Sequence, residues 1–148
     1  MAEPAGITGA AIGIVSFGLQ LYTGISEYLD ALKGRDKDLQ FVKQHTGTLQ
    51  DYLRSIEEAL DTIGSDYTVA RHAIERCKCS CEVELRGLET LLQELRAPFE
   101  NRFNRTVKVK NSRRKFSYPF NKKSIVRLQE RLNSTNNVLN MAILALQL

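Results

Sequence analysis

The sequence predicts an all-α fold: a single domain over residues 1–148, built as an antiparallel four-helix bundle with a long basic loop before the last helix. Three observations lead there. Apolar residues recur in alternating steps of three and four along four separate stretches. Residues that end one helix and start the next fall between those stretches. No stretch competes as a central strand: the alternation in "TVKVK" at 106–110 is one short piece, which builds no sheet. With 148 residues, 43% of them hydrophobic, the chain can bury a sizeable core.

The first helix steps through Ile7, Ala11, Ile14, Gly18, Leu21, Ile25, Tyr28 and Leu32. Gly34 then stands where a helix end wants a left-handed residue, and Asp36 can cap the next helix. The second steps through Leu39, Val42, Thr46, Leu49, Leu53, Ile56, Leu60 and Ile63, with "GSD" at 64–66 as the next stop and start. The third uses Ala70, Ile74, Cys77, Cys81, Leu85, Leu88, Leu92 and Leu95, and Pro98 is expected to end it. Its extra four-residue step from Cys81 to Leu85 is a stutter that locally relaxes supercoiling. The fourth opens at Asn121, after Pro119, and uses Ile125, Leu128, Leu132, Thr135, Leu139, Ala142 and Leu146. Each helix is expected to run for roughly 26 to 30 residues. Phe99 to Phe120 is too long for a tight turn and is expected to be a crossover or mobile loop. The last helix reaches Leu148 without a capping signal, so the chain is expected to be the N-terminal part of a longer protein.

Charge is distributed unevenly. Residues 1–100 hold 10 Lys and Arg against 16 Asp and Glu, whereas residues 101–148 hold 11 basic residues and one acid, Glu130. The run "RFNRTVKVKNSRRKFSYPFNKK" carries Arg102, Arg105, Lys108, Lys110, Arg113, Arg114, Lys115, Lys122 and Lys123. It admits three readings: a solvated loop, a lipid-headgroup contact or a nucleic-acid contact. Nucleic acid is not expected, because no DNA or RNA motif accompanies the charge. An anionic membrane needs no ordered geometry, only several cations within a Debye length.

The three cysteines lie together in "CKCSC" at 77–81, an odd, clustered set that points to a reducing cytosolic compartment. On a helix Cys77 and Cys81 share a face, while Cys79 points about 160° away from both. Structural zinc needs four ligands, and no CxxC or nearby His pair completes the set. No cofactor or metal is expected. With two histidines and no nucleophile motif, neither is enzymatic activity.

The segment "GITGAAIGIVSFGLQLY" at 6–22 is the most unusual. It holds four of the nine glycines, and no charge occurs between Glu3 and Glu27. "TGAAIG" at 8–13 mimics the TGxxxGxG turn of short-chain dehydrogenases, but no strand precedes it and the third glycine position is Val15. A secretory signal would place Lys or Arg ahead of the apolar core, where this chain has Glu3. The 23 uncharged positions from 4 to 26 are long enough to span a bilayer, although 11 are Gly, Ser, Thr, Gln or Pro. Ile12, Val15 and Leu19 widen the apolar face, leaving a polar stripe of Ser16, Gln20, Thr23 and Glu27. Gly9 and Gly13 form a small-xxx-small pair. Each glycine costs about 1 kcal/mol of helix stability relative to Ala. The segment reads as a bundle helix able to change solvent.

Those residues carry a family resemblance. "MAEPAGITGAAIGIVSFGLQLYTGISEYLDALKGRDKDLQ" resembles the start of the HeLo-like N-terminal domains of fungal STAND/NLR proteins. Such domains open with a short acidic or Pro-containing leader, a Gly-rich apolar helix of the form "GxxGSxxGxxSLGxQ" and a charged "D.D" step. "KFSYPFNKKSIVRLQERLNSTNNVLNMAILALQL" is similar to the family's "WPF-K-K" lead into a final Leu-rich helix, with Tyr118 where Trp is usual. The resemblance implies a cell-death effector domain, a helical bundle similar to the four-helix domain of the mixed-lineage kinase-like necroptosis effector. It implies a cytoplasmic protein that moves to the plasma membrane on activation, when clustering releases the first helix to enter and permeabilise the bilayer. The membrane-inserting residues would be Ile7, Gly9, Ala10, Ala11, Ile12, Gly13, Ile14, Val15, Phe17, Gly18, Leu19 and Leu21. Lipid headgroups would meet Arg113, Arg114, Lys115, Lys122 and Lys123. The implied partners are anionic membrane lipids, other copies of the chain, and a downstream nucleotide-binding or amyloid-motif region. The alternative is a helical module that binds itself or a signalling partner without membrane activity.

Overall fold

Four helices account for the described chain in the computed structural model: α1 (Glu3–Ala31), α2 (Asp36–Ile63), α3 (Tyr67–Val107) and α4 (Lys122–Gln147). The structure describes residues 3–32, 36–63, 67–107 and 121–147, with the backbone alone described at 3–8, 36, 38, 63, 67–71, 73, 98–107 and 147. No strand occurs among the described residues. The start of α4 matches its sequence signal: the Lys123 amide donates to Asn121 Oδ1 at 3.0 Å, and the Ile125 amide donates to the Asn121 carbonyl at 3.1 Å. Asn121 thus satisfies an amide that the helix itself leaves unpaired.

The apolar steps form the core. Leu21, Ile25 and Tyr28 of α1, with Leu32 just after it, share the core with Leu39, Val42, Leu49, Leu53, Ile56 and Leu60 of α2. Ile74, Cys81, Leu85, Leu88, Leu92 and Leu95 of α3 and Ile125, Leu128, Leu132, Leu139 and Ala142 of α4 complete it. Each fully buried large side chain contributes about 1.5–3 kcal/mol. Two hydroxyls sit on these seams at little cost because each donates one turn back: Thr46 to the Val42 carbonyl at 2.7 Å, Thr135 to the Arg131 carbonyl at 2.9 Å. Leu91, Asn136 and Ile143 are buried outside the simple three–four steps. Asn136 is accommodated because its Nδ2 donates to the His45 carbonyl of α2 at 3.0 Å.

Inter-helix contacts fix the topology. Gly18 packs on Leu53 and Asp30 lies near Lys43, so α2 runs antiparallel to α1. Phe17 meets Arg86 and Gly24 meets Leu92, so α3 runs parallel to α1. Cys77 meets Ala142 and Glu94 meets Arg127, so α4 is antiparallel to α3. The principal packing runs α1–α2–α4–α3 and back to α1, which puts α2 and α3 on a diagonal although they are consecutive in the chain. Two glycines set close approaches. A Cβ at Gly18 would lie 2.7 Å from Leu53 Cδ2, and one at Gly24 would lie 3.1 Å from Leu92 Cδ2.

One expectation fails at Pro98. α3 does not stop there but continues to Val107, 41 residues in all. Proline removes a single donor, the one that would bond the Glu94 carbonyl, at a cost of roughly 3 kcal/mol. From Phe99 to Val107 there is no further Gly or Pro, so the backbone ladder can resume. The expected loop from Phe99 to Phe120 is therefore helical in its first part, and residues 108–120 lie outside the described residues.

Candidate functional site

The site begins on α1. Of the residues expected to insert, Ala11, Val15, Gly18 and Leu21 are buried against the bundle, and Ile14, Phe17 and Leu19 are half-buried. Gly9, Ala10, Ile12 and Gly13 are exposed. For Ile7 only the backbone is described. From Gly9 to Ala31, α1 has the length and apolar composition to cross a membrane, and only 28% of its apolar window is buried. The glycines divide into two kinds. Gly18 and Gly24 admit neighbouring helices, whereas a Cβ at Gly9 or Gly13 would meet nothing within 4 Å. In the docked bundle those two glycines weaken the helix and gain no packing in return.

Beneath Ala11, Ile14 and Val15 lies an apolar cavity of about 30 Å³, reached by Leu60, Ile74, Cys77, Cys81, Leu139 and Leu146. The first half of α1 is thus held over an imperfectly filled end of the core. The cysteines obey the helical spacing: Cys81 is buried, Cys77 half-buried and Cys79 exposed. Burial pushes the Cys81 thiol up to about 12, with Cys77 and Glu84 adding to the effect, and burial also raises Cys77. Among the described residues no group of three or more His, Cys, Asp or Glu is arranged to hold a metal ion.

The expected headgroup residues are placed apart from that segment. Lys122 and Lys123 are exposed in the first turn of α4. That turn lies beyond Arg127, which pairs with Glu94 at 3.0 Å, at the end of the bundle where α1 finishes and α2 begins. At 1.5 Å per residue this is about 30 Å from Gly9. Lysines in a first turn oppose the helix dipole, so they do not sit there for helix stability. Arg113, Arg114 and Lys115 lie outside the described residues.

Two features are not legible in the sequence pattern. The Arg86 guanidinium lies 5.6 Å from the Phe17 ring centroid while also donating to Glu82 at 3.3 Å, which ties α1 to α3 at the surface. Arg131 lies across Gly87, where a Cβ would come 2.6 Å from its Cζ, and reaches Glu84 at 3.5 Å. Ser134 Oγ donates to the same carboxylate at 3.3 Å. A lone glycine inside a strong helical pattern is the one signal for the second feature. Nothing in the one-dimensional pattern pairs position 17 with position 86.

No family model matches the chain, and no solved structure matches it significantly. The azaphilone pigments biosynthesis cluster protein L of Monascus ruber is 24% identical over 137 residues, which cover 91% of this chain and 28% of that protein. This chain thus spans little more than a quarter of the relative's length.

Proposed function

We propose that this chain is the cell-death effector domain of a fungal NLR-type protein, and that α1 enters and permeabilises a membrane when copies are clustered. One observation carries the reading: α1 is an apolar span, uncharged from position 4 to 26, that is only partly covered by its own bundle. Gly9 and Gly13 strengthen it, because two glycines without a packing role in the bundle would let helices approach closely in lipid. The resemblance to HeLo-like domains supports the same role, and on it the domain rests in the cytoplasm and moves to the plasma membrane when activated. The name of the Monascus relative concerns a pigment biosynthesis cluster and adds no mechanism.

The test is dye release from vesicles containing phosphatidylserine, with the chain fused to an inducible oligomeriser. Clustered wild type is expected to release dye, and Gly13→Glu to abolish release while keeping helicity and melting temperature, since position 13 faces open space. Silence of the clustered wild type overturns the proposal. A second reading, an interaction module without membrane activity, is favoured by the outer face of α4. That face is uncharged from Leu132 onward and exposes Met141 and Leu144. It expects Met141→Glu, and not Gly13→Glu, to abolish the domain's associations.

A further inference from the structure

Near the end of the bundle where α2 and α4 begin, each of these helices carries a cation–apolar pair. On α2, Lys37 and Phe41 are four residues apart and both exposed, Phe41 to 62%. On α4, Lys122 and Val126 are four apart and both exposed, Val126 to 43%. The two helices pack against each other and run parallel, with Asn136 of α4 level with His45 of α2. Counting back from that contact puts both cation–apolar pairs at the same end, with Lys122 and the exposed Lys123 about 9 Å further along the axis than Lys37. Residues four apart share a helix face, so each helix presents a cation beside an apolar side chain. None of these three lysines has an ion pair among the described residues. Asp36 and Asp38 flank Lys37 in the sequence, Asp30 and Glu94 are engaged with Lys43 at 3.9 Å and Arg127 at 3.0 Å, and Glu130 is exposed one turn beyond Val126. The far end differs: exposed Glu58, Asp61 and Glu75 lie there, with Glu57 half-buried, along with the exposed apolar residues Met141 and Leu144.

We infer that Lys37, Phe41, Lys122, Lys123 and Val126 form a docking surface for an anionic lipid bilayer, so that the bundle meets the membrane by the end opposite the tip of α1. Cations reach the headgroup phosphates, while an aromatic and an aliphatic side chain enter the boundary between headgroups and acyl chains. Docking and insertion are then separate events. A docked bundle keeps Gly9–Ile14 about 30 Å from the headgroups, and permeabilisation needs the later departure of α1. The inference rests on the membrane reading above, but makes a distinct claim about which end binds first.

The chain contains no tryptophan, so one introduced at either end is a clean reporter. The background is Gly13→Glu, which the membrane reading makes unable to insert. Phe41→Trp is expected to shift to the blue when phosphatidylserine–phosphatidylcholine vesicles are added, and not with phosphatidylcholine alone. Met141→Trp is expected to stay unshifted with both. Lys37→Gln, Lys122→Gln and Lys123→Gln are each expected to weaken vesicle sedimentation about fivefold, the equivalent of about 1 kcal/mol for one charge. A shift at position 141 without one at 41, or loss of vesicle binding through Gly13→Glu alone, overturns the orientation and leaves permeabilisation by wild type standing. Absence of binding and dye release by clustered wild type overturns both.

Discussion

Four glycines on the helices differ in what a methyl group would meet, and this separates their roles. At Gly18 the added Cβ would lie 2.7 Å from Leu53 Cδ2, so Leu53, which is 1% exposed, would have to shift against its core neighbours. Gly18→Ala should therefore cost about 1–3 kcal/mol through overpacking, more than the about 1 kcal/mol it gains in helix propensity. Gly87→Ala should likewise destabilise by displacing Arg131 from Glu84. Gly9→Ala and Gly13→Ala meet open space and should each stabilise by up to about 1 kcal/mol in urea unfolding. A loss of stability at Gly13 would show that the outer face of α1 is not free. The cysteines give a second residue-level expectation. A thiol-reactive dye should modify Cys79 first, Cys77 more slowly and Cys81 only on unfolding. Cys81 also fixes a sign with pH. Its thiol ordinarily loses its proton near 9.0 but holds it to about 12 in the fold, so above 9 the unfolded chain deprotonates first. The stability it contributes is whole below about pH 9 and lost as pH rises towards about 12. Urea unfolding of Cys81→Ala across that window should show a shallower decline than wild type.

At the scale of elements, α3 is the informative case. Its helix carries Pro98 in the interior, so Pro98→Ala should raise stability by up to about 3 kcal/mol, read as greater amide protection between Ala97 and Val107. If protection there is unchanged, the helix does not depend on the lost bond. The other helix starts and seams were legible in the sequence because they rest on local causes. Asn121 caps α4 through bonds to amides two and four residues on, and Leu49 or Leu128 is buried because its neighbours at three and four residues are. Pro98 misled because a proline marks a local cost, whereas helix length also depends on bonds formed afterwards. The apolar face of α1 was legible too. How little of it is covered was not, since coverage depends on which helices sit beside it.

At the scale of the molecule, the ring order leaves α1 held by α2 and α3, with α4 on the diagonal. Release of α1 should therefore be blocked by one covalent tie. A Cβ at position 18 would lie 3.4 Å from Leu53 Cγ, the place a cysteine sulfur at position 53 would take, close to disulfide reach. In a background lacking the native cysteines, oxidised Gly18→Cys/Leu53→Cys should still bind anionic vesicles yet release no dye until reduced. Dye release by the oxidised form would show that α1 need not leave its groove. The sequence by itself determined the number of helices, their buried seams, the cap at Asn121 and the uncharged character of α1, because each arises from spacing and chemistry within a few turns. Only the tertiary structure decided that α2 and α3 are not neighbours, that Gly13 faces open space while Gly18 faces Leu53, and that Lys122 lies at the end of the bundle far from Gly9. Those facts depend on which helices lie side by side and in which direction they run, and helical periodicity is the same for every such arrangement.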